Sequence, residues 1–441
     1  MRGKMAQLYP FTDPVAARTH GPTVMMSGEG CCVTDTDGHT YLDAVSGLWC
    51  ASLGFSNDRL IAAAEGQMRQ LPYYHSFMGR SAQPTEQLAA KMASLLPGDL
   101  NHVFFGCSGS EAVDTAAKLV RYYWNARGRP NKKRIIARDA AYHGSGIISA
   151  SLTGMSYCHD GFDLPDVAVL RTGRPSYLHD AKPGETERAF SCRRARELEA
   201  LIEQAGADTI GAFIGEPVIG SGGVLPPPDG YWEEIQAVLA RHDILLIADE
   251  IITGFGRTGA WFASEKYGLK PDLMTMAKQL TGAYFPLSAL AISDRVHDAI
   301  AAGAHDLGTF GHGFTYGGHP VGCAVALEAI AIYEEMDLPA VVMDRSRMLE
   351  AALEPLKSNP AVADVRLAGL MAGVELHDKK ITAQTLREAE TRGVLLRQIG
   401  ATLAISPPLI VSDEEIAQIV SVLSDSLANA TIHKPAGKET A

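Results

Sequence analysis

The sequence has few of the features that mark secreted or membrane-spanning proteins. Only seven of its 441 residues are cysteine, they are scattered, and no two are spaced as C-x-x-C. This disfavours a disulfide framework or a zinc site and favours reduced thiols in a cytoplasmic protein. No run of about 20 apolar residues could span a bilayer. The start, "MRGKMAQLYPFTDP", lacks the apolar core that a secretory signal needs.

Positive charge is also in short supply. The chain has 39 Lys and Arg residues against 51 Asp and Glu residues, which gives a formal net charge of −12 at pH 7. Such a surplus of negative charge repels phosphate backbones and anionic lipids, so we expect neither nucleic acid nor a membrane as a partner. With 46% hydrophobic and 20% charged residues, the composition is that of a soluble globular protein.

The central part of the chain alternates short apolar runs with helical patterns. The predicted strands are 102–107, 133–139, 209–218, 244–250 and 273–278, and the predicted helices include 111–128 and 231–243. This alternation predicts an α/β fold with a mostly parallel sheet between layers of helices. Only eight residues separate Lys278 from the next apolar run, 287–293. A parallel crossover needs a dozen or more residues, so this strand should return antiparallel and make the sheet mixed.

The two ends of the chain have a different pattern, and 441 residues exceed what one small core requires. Residues 28–47 are typical of a β-meander, and long helical patterns follow residue 330. We therefore predict a large ligand-binding domain from residues 71–330. A smaller α+β domain should be built from residues 331–441 together with the N-terminal segment 1–70.

Lys278 is an unusual charge because it directly follows the apolar strand 273–277. A charge beside a buried strand generally needs a partner. Asp249 ends the preceding predicted strand, and successive strands are usually neighbours, about 4.8 Å apart. The two residues could form a structural ion pair. They could equally be two sides of a ligand site, because ligands bind beyond the carboxyl ends of strands in open α/β sheets.

A helix start close to this edge favours a ligand site. Ser108 and Glu111 form an S-x-x-E pattern that predicts a capping box at the start of the helix 111–128. Capping boxes are common and need no further function. Here, however, Gly109 and Ser110 would leave backbone N–H groups free at a helix N-terminus that follows a strand, which suits a phosphate group.

Two further residues extend the predicted site. Tyr142 follows the strand 133–139 and could stack on a flat ligand or simply be a buried loop tyrosine. Thr315 lies in a glycine-rich turn before an apolar helix, where it offers a hydroxyl or only marks the helix entrance. A phosphate site, an aromatic wall, an acid and a primary amine together suit pyridoxal 5′-phosphate, whose aldehyde, ring nitrogen and phosphate need these groups.

At this point the sequence resembles a known family. The run "LLIADEIITGFGRTGAWFASEKYGLKPDLMTMAKQLTGAYFPLSAL" is similar to the signature of class III aminotransferases, which are pyridoxal-phosphate enzymes of fold type I. The similarity extends, in order, to "SGSEA", "YHG", "GEPVIGSGGV" and "GFTYGGHPVGCAVAL", and it covers most of residues 30–430. It implies a large domain with a mixed, mostly parallel sheet and a smaller α+β domain.

The resemblance implies a role for each residue of the predicted cofactor site. Lys278 would be the Schiff-base lysine, and Asp249 would keep the ring nitrogen protonated. The other implied cofactor contacts are Gly109 and Ser110 to the phosphate, Tyr142 and Ile251 to the two ring faces, Glu216 near the ring hydroxyl, and Thr315 to the phosphate of a neighbouring subunit. The last contact implies a homodimer with shared active sites, which could pair further into a tetramer.

The segment 43–56 resembles the branch of the family that acts on amines and ω-amino acids with pyruvate. In that branch Trp49 would form a wall of the substrate pocket, Phe77 would add aromatic surface, and Arg397 would bind the acceptor carboxylate with its two-pronged guanidinium. By residue type alone, Trp49 and Phe77 would be ordinary core residues and Arg397 a surface arginine. The implied activity is ping-pong transamination from an amine donor to a keto acid, expected to be pyruvate.

Other functions remain open from the sequence. Decarboxylation or an intramolecular amino shift could use the same fold and cofactor. A non-catalytic relative that only binds the cofactor is disfavoured by the joint presence of Lys278, Asp249 and Tyr142. A cofactor-free Schiff-base aldolase would leave "SGSEA" and Asp249 without a role. Two departures from the family pattern, Cys107 and Gln279, affect substrate details more than chemistry, and the donor amine is not fixed.

Overall fold

The computed structural model describes residues 6–165 and 169–432 of the chain. The strands are β1 Met25–Glu29, β2 Cys32–Asp35, β3 Thr40–Asp43, β4 His102–Gly106, β5 Arg134–Arg138, β6 Val169–Thr172, β7 Ile210–Gly215, β8 Leu245–Asp249, β9 Leu273–Met276, β10 Ser288–Ile292, β11 Val362–Leu367, β12 Ala372–Leu376, β13 Val394–Leu395, β14 Arg397–Ile399 and β15 Thr402–Ile405. They form three separate sheets within the described residues.

Helices connect and cover these strands. They are α1 Pro14–His20, α2 Ser46–Trp49, α3 Asp58–Gln70, α4 Gln83–Leu95, α5 Gly109–Ala126, α6 Ile147–Leu152, α7 Tyr177–Asp180, α8 Glu187–Ala205, α9 Tyr231–Arg241, α10 Ala263–Lys266, α11 Asp294–Leu307, α12 Pro320–Glu335, α13 Leu338–Leu353, α14 Lys379–Thr391 and α15 Asp413–Ile432. Short 3₁₀ turns occur at Ser156–Cys158, Ala207–Thr209, Lys278–Thr281 and Glu354–Ser358. No helix in the described part of the chain is both long enough and apolar enough to cross a bilayer.

The central sheet has seven strands in the order β4-β10-β9-β8-β7-β5-β6. Strand β10 pairs antiparallel with both β4 and β9, and the remaining neighbours pair in parallel. The mixed, mostly parallel sheet that the sequence predicts is therefore confirmed. The short connection from β9 to β10 is the physical reason for the reversal, because it is too short to hold a crossover helix.

Both faces of the central sheet are buried under helices. Successive residues of a strand point to opposite faces, and in β8 Leu246 and Ala248 enter one core cluster while Leu245 and Ile247 enter another. The first cluster includes residues of α8 and α9, and the second includes residues of α5 and α11. The layered α/β architecture explains why every residue of β7, β8, β9 and β10 is buried.

The other two sheets are built from the ends of the chain. Strands β1, β2 and β3 form the predicted antiparallel meander, and β13 adds to it in parallel, with Val394 opposite Leu42. The third sheet has the order β11-β12-β15-β14. Helix α12 runs through the predicted domain boundary at residue 330 without a break. The division into segments 1–70, 71–330 and 331–441 stays a prediction.

Candidate active site

The carboxyl ends of three adjacent parallel strands meet at one edge of the central sheet. Glu216 follows β7, Asp249 ends β8, and Lys278 comes two residues after β9. A cavity of about 180 Å³ opens at this edge. Its lining residues are Leu48, Gly109, Ser110, Tyr142, His143, Gly144, Glu216, Asp249, Ile251, Ile252, Ala277 and Lys278. Seven of these lining residues are among those named from the sequence.

Lys278 begins a 3₁₀ turn in a left-handed backbone conformation, with φ +46°. A non-glycine residue pays about 1–3 kcal/mol for this conformation, which fixed surroundings must offset. Within the described residues its amine makes no ion pair or hydrogen bond. Burial lowers the pKa of Lys278 to about 8, with the charge of Arg397 acting in the same direction and Cys50, Asp249 and Glu216 acting against it. The structural ion pair with Asp249 is therefore not formed.

The Asp249 carboxylate is buried and held on both oxygens. Its Oδ2 accepts a hydrogen bond from His143 Nδ1 at 2.7 Å. Its Oδ1 accepts from Thr275 Oγ1 at 3.0 Å and from the backbone N–H of Ile251 at 3.2 Å. These donors fix the plane of the carboxylate while leaving it at the cavity wall.

His143 is a site residue that the sequence analysis missed, although "YHG" was part of the family resemblance. A carboxylate can only accept, so His143 Nδ1 must carry the hydrogen that bonds Asp249. The other ring nitrogen, Nε2, is buried and has no hydrogen-bond partner in the part of the chain that the structure describes. A buried carboxylate needs polar partners, and this requirement is the signal by which such a donor could have been predicted. Thr275 could also have been found, because it lies opposite Asp249 in the parallel register of β8 and β9.

Glu216 is nearly inaccessible to solvent, at 4% exposure. Burial, reinforced by the charge of Asp249, raises the pKa of Glu216 to about 8 against the opposing effects of Arg138 and two backbone N–H groups. Its Oε1 accepts from the N–H of Gly220 at 3.3 Å, and Oε2 has no partner in the described part of the chain. Glu216 and His143 both line the cavity, and each has one buried polar atom that makes no hydrogen bond to a described residue.

Helix α5 begins at Gly109 and points its N-terminus at the cavity. Ser108 caps it by accepting from the N–H of Glu111, as predicted, but Glu111 accepts from the N–H of Cys107 at 2.6 Å instead of from Ser108. Ser110 Oγ accepts from the N–H of Ser145 at 3.0 Å. A Cβ on Gly109 would lie 2.8 Å from Ile251, so glycine permits this close approach. The free N–H groups of the first turn suit an anion.

These features fit pyridoxal phosphate. An amine without a partner, an oriented carboxylate and a helix N-terminus surround one cavity, and Tyr142 and Ile251 contribute its aromatic and aliphatic walls. The unpaired Oε2 of Glu216 and Nε2 of His143 leave hydrogen-bonding capacity for a bound polar group. The donor set thus offers what an aldehyde, a pyridine nitrogen and a phosphate require.

Four residues named from the sequence lie outside the lining of this cavity. Trp49 is buried, at 1% exposure, and packs in a cluster with Ile252, which does line the cavity. Arg397 opens strand β14 and is partly buried. Burial lowers the pKa of Arg397 below its ordinary range, while Tyr157 and Tyr142 have the opposite effect. No carboxylate of the described residues pairs with it.

The other two residues lie at the surface. Phe77 is 39% exposed and lines a second cavity, of about 320 Å³, together with His312 and Phe314. Thr315 is exposed, and its carbonyl oxygen accepts a hydrogen bond from the Tyr73 hydroxyl at 2.8 Å. Within a single chain, neither residue reaches the cavity around Lys278.

Comparison with known proteins gives the family. The family described as Aminotransferase class-III matches residues 15–427. The chain is 45% identical, over 95% of its length and 84% of the relative's, to the mitochondrial gamma-aminobutyrate transaminase 1 of Oryza sativa subsp. japonica. It is also 43% identical to the ω-transaminase of Pseudomonas jessenii, solved in complex with PMP, with a TM-score of 0.95 and coverage of 97% and 96% of the two chains.

A further solved structure, titled as a transaminase with L-Ala, is 47% identical, with a TM-score of 0.91 and coverage of 93% of this chain and 99% of that one. The expected fold agrees with the two solved structures, and the expected cofactor agrees with the PMP complex. The central sheet and the separate smaller sheets are those of fold type I. The chain belongs to the class-III aminotransferases, a family of enzymes that depend on pyridoxal phosphate.

Proposed function

We propose that this enzyme transfers an amino group from an ω-amino acid or a primary amine to pyruvate by a ping-pong mechanism. Two observations carry the proposal: among the described residues, the Lys278 amine has no partner in a cavity that Asp249 also lines, and the nearby Arg397 pairs with no carboxylate. The first feature provides the chemistry, and the second provides a docking point for a substrate carboxylate.

Lys278 and Asp249 perform the central roles. When bound, pyridoxal phosphate supplies a carbonyl that condenses with amines and a ring that takes up electrons from the substrate carbon. Lys278 would anchor the cofactor and, as a free neutral amine, would take and return the proton of the reacting carbon. Asp249 would present a fixed negative charge to the ring nitrogen, and His143 and Thr275 hold that carboxylate in orientation.

The remaining cofactor contacts are those that the family resemblance implies. The N–H groups of Gly109 and Ser110 would bind the phosphate at the start of α5. Tyr142 and Ile251 would flank the ring, and Glu216 would lie on the side of the ring hydroxyl. Their support is that all five residues line the cavity.

A homodimer, with or without further pairing into a tetramer, forms part of the proposal. Thr315 would bind the phosphate of a second copy, and Phe77 would reach that copy's substrate pocket. Both residues are exposed, and neither lines the cavity of its own chain. A monomer that is fully active at nanomolar concentration in analytical ultracentrifugation and kinetic assays would contradict this shared arrangement.

Arg397 should determine the affinity for the keto acid. In the Arg397→Gln variant we expect the KM for pyruvate to rise by about tenfold to a hundredfold, because hydrogen bonds to a charged group are lost. The KM for an amine that lacks a carboxylate should change by less than about twofold. Steady-state kinetics with both substrates measures this split. The exposed Arg127→Gln variant serves as the control, and an unchanged KM for pyruvate in Arg397→Gln would refute the assignment.

The Lys278 amine should become reactive at lower pH than other lysines. Burial lowers the pKa of Lys278 to about 8, so a large neutral fraction exists near pH 8, whereas ordinary lysines have a pKa of about 10.4. Reductive methylation of cofactor-stripped protein at several pH values, read by peptide mass spectrometry, measures this. We expect half-maximal labelling of Lys278 near pH 8. A midpoint above about pH 10 would show that the site does not activate the amine.

The reaction type and the substrates are tested by product analysis. A panel of ω-amino acids, diamines and aryl amines is offered with pyruvate or with 2-oxoglutarate. Alanine formed from pyruvate supports the proposal, whereas carbon dioxide, or an amino group moved within one molecule, indicates the decarboxylase or aminomutase alternative. The names of two similar proteins support the choice, since one names gamma-aminobutyrate and the other contains L-Ala.

A cytoplasmic location is also proposed. Its support is that all seven cysteines are free, which suits a reducing compartment. The rice relative is named as mitochondrial, so fractionation of the source cells is the direct test.

A further inference from the structure

The short element α2, Ser46–Trp49, forms a turn that is held in an unfavourable backbone conformation beside the active-site cavity. Ser46 has φ +50° and Trp49 has φ +62°, with Gly47 between them at +64°. Each such non-glycine residue costs about 1–3 kcal/mol and persists only when its surroundings enforce it. Within this turn Leu48 lines the cavity while Trp49 is buried behind it. The turn therefore decides which side chain faces the cavity.

Hydrogen bonds to buried groups enforce the turn. The Ser46 hydroxyl donates to the carbonyl of Ser406 at 2.5 Å and accepts from Arg257 Nη2 at 3.2 Å. On the other side, the Asp43 carboxylate accepts from the N–H of Val45 at 2.9 Å and from the N–H of Gly47 at 2.5 Å. Ser46 itself is fully buried, so its hydroxyl has no water to replace a lost partner.

Arg257 connects this turn to the C-terminal part of the chain. Its guanidinium is fully buried, and Nη1 donates to the carbonyls of Pro407 at 2.6 Å and Leu370 at 3.3 Å. Its backbone carbonyl in turn accepts from the N–H of Leu370 at 3.0 Å. One side chain thus bridges the N-terminal turn and two C-terminal segments.

The Arg257 cation is unusual because, within residues 6–165 and 169–432, the oxygens that accept hydrogen bonds from it are all neutral. Burial lowers the pKa of Arg257 to about 10, which leaves the side chain charged at neutral pH. A buried charge without a counter-ion is costly, and an apolar side chain of similar volume would avoid that cost. An apolar side chain, however, could not donate hydrogen bonds to three separate segments, as Arg257 does.

We propose that Arg257 is a positioning residue that acts through Ser46 to fix the turn 46–49 and thereby shapes the substrate side of the active-site cavity. This inference rests on the proposed function and on the role in the substrate wall that the family resemblance implies for Trp49. Arg257 lies in the segment that follows β8, the strand that ends at Asp249. The arginine therefore ties the substrate wall to the part of the chain that carries the cofactor's carboxylate.

The test compares two serine variants of the holoenzyme. Ser46→Ala removes the acceptor of Arg257 Nη2, whereas Ser406→Ala removes a nearby buried hydroxyl that makes no hydrogen bond to any described residue. For Ser46→Ala we expect the KM of a bulky aryl amine to rise by about tenfold, equivalent to 1.4 kcal/mol. We expect kcat to change by less than about twofold and the visible spectrum of the bound cofactor to stay the same. Ser406→Ala should behave like the wild type.

A second measurement does not depend on activity. The N–H groups of Trp49 and Cys50 donate to the carbonyls of Val45 and Ser46 at 2.9 and 3.0 Å, and they report on the turn. Hydrogen exchange of a peptide covering residues 44–52 should be about tenfold faster in Ser46→Ala and in Arg257→Lys than in Ser406→Ala. Equal exchange and equal KM in all variants would overturn the proposal. A wild type without transaminase activity would instead refute the proposed function, and the exchange comparison would still test Arg257.

Discussion

Replacing Lys278 by alanine is expected to reduce the kcat of transamination by at least about 10⁴-fold. The variant loses both the anchor of the cofactor and the proton carrier of the reaction, and loss of a general base alone commonly costs about 10²–10⁴-fold. The exposed Lys270→Ala variant is a suitable control, because that side chain makes no contact with the cavity. Steady-state rates with the best donor from the panel and pyruvate measure the effect. Substantial turnover by Lys278→Ala would contradict the central role of this amine.

The same variant should remain folded. Burial lowers the pKa of Lys278 from its ordinary value to about 8, so the unfolded chain binds more protons than the folded chain between about pH 8 and 10.5. The amine therefore destabilises the wild type fully below about pH 8, and this penalty fades as the pH rises towards 10.5. Without the cofactor, Lys278→Ala should thus be at least as stable as the wild type at pH 7 in chemical denaturation. A strong destabilisation at pH 7 would mean that its inactivity reflects misfolding.

Replacing Asp249 by asparagine is expected to lower kcat by roughly 10³-fold. Opposite charges about 4 Å apart attract by about 4 kcal/mol at an effective dielectric constant of 20, and a barrier change of that size corresponds to roughly a thousandfold in rate. Asparagine has nearly the same shape and can still accept from His143. The single-turnover rate with an amine donor measures the effect without interference from the acceptor.

Thr275→Val is the matched control for this prediction. It removes the 3.0 Å hydrogen bond to Asp249 Oδ1 but leaves the negative charge in the site. We expect a loss of about tenfold or less, because a single neutral hydrogen bond is worth about 0.5–1.5 kcal/mol. If Asp249→Asn keeps the turnover of the wild type, or loses no more than Thr275→Val, then its charge is not what the reaction uses.

Much of the cofactor edge of the sheet could be predicted because it depends on local chain geometry. The eight residues between Lys278 and the next apolar run are too few for a crossover, and β10 is indeed antiparallel. Asp249 and Lys278 lie at the ends of successive strands, so the two residues are close together whenever these strands are neighbours in the sheet. The capping role of Ser108 was likewise a local pattern, and it is confirmed.

Contacts made across loops could not be predicted in the same way. His143 reaches Asp249 from a loop after β5, which is separated from β8 in the sheet by β7. No sequence spacing encodes that distance. Even within the capping box, Glu111 bonds one residue earlier than the pattern suggests. The buried bridge from Arg257 to Ser46 joins positions 211 residues apart, and no periodicity in the sequence indicates it.

The residues expected to contact the substrate do not line the cavity around Lys278. Trp49 and Arg397 lie near the cavity without lining it, and Phe77 and Thr315 are exposed on their own chain. Their predicted roles came from the family resemblance, and the role predicted for Thr315 depends on a second copy of the chain.

The most direct measurement of the central claim is chemical. Borohydride is added to the cofactor-bound enzyme, which makes any bond between a lysine and the cofactor permanent, and the protein is digested and analysed by mass spectrometry. The account predicts the pyridoxyl mass on the peptide that contains Lys278 and on no other. The mass on a different lysine, or on none, would contradict it.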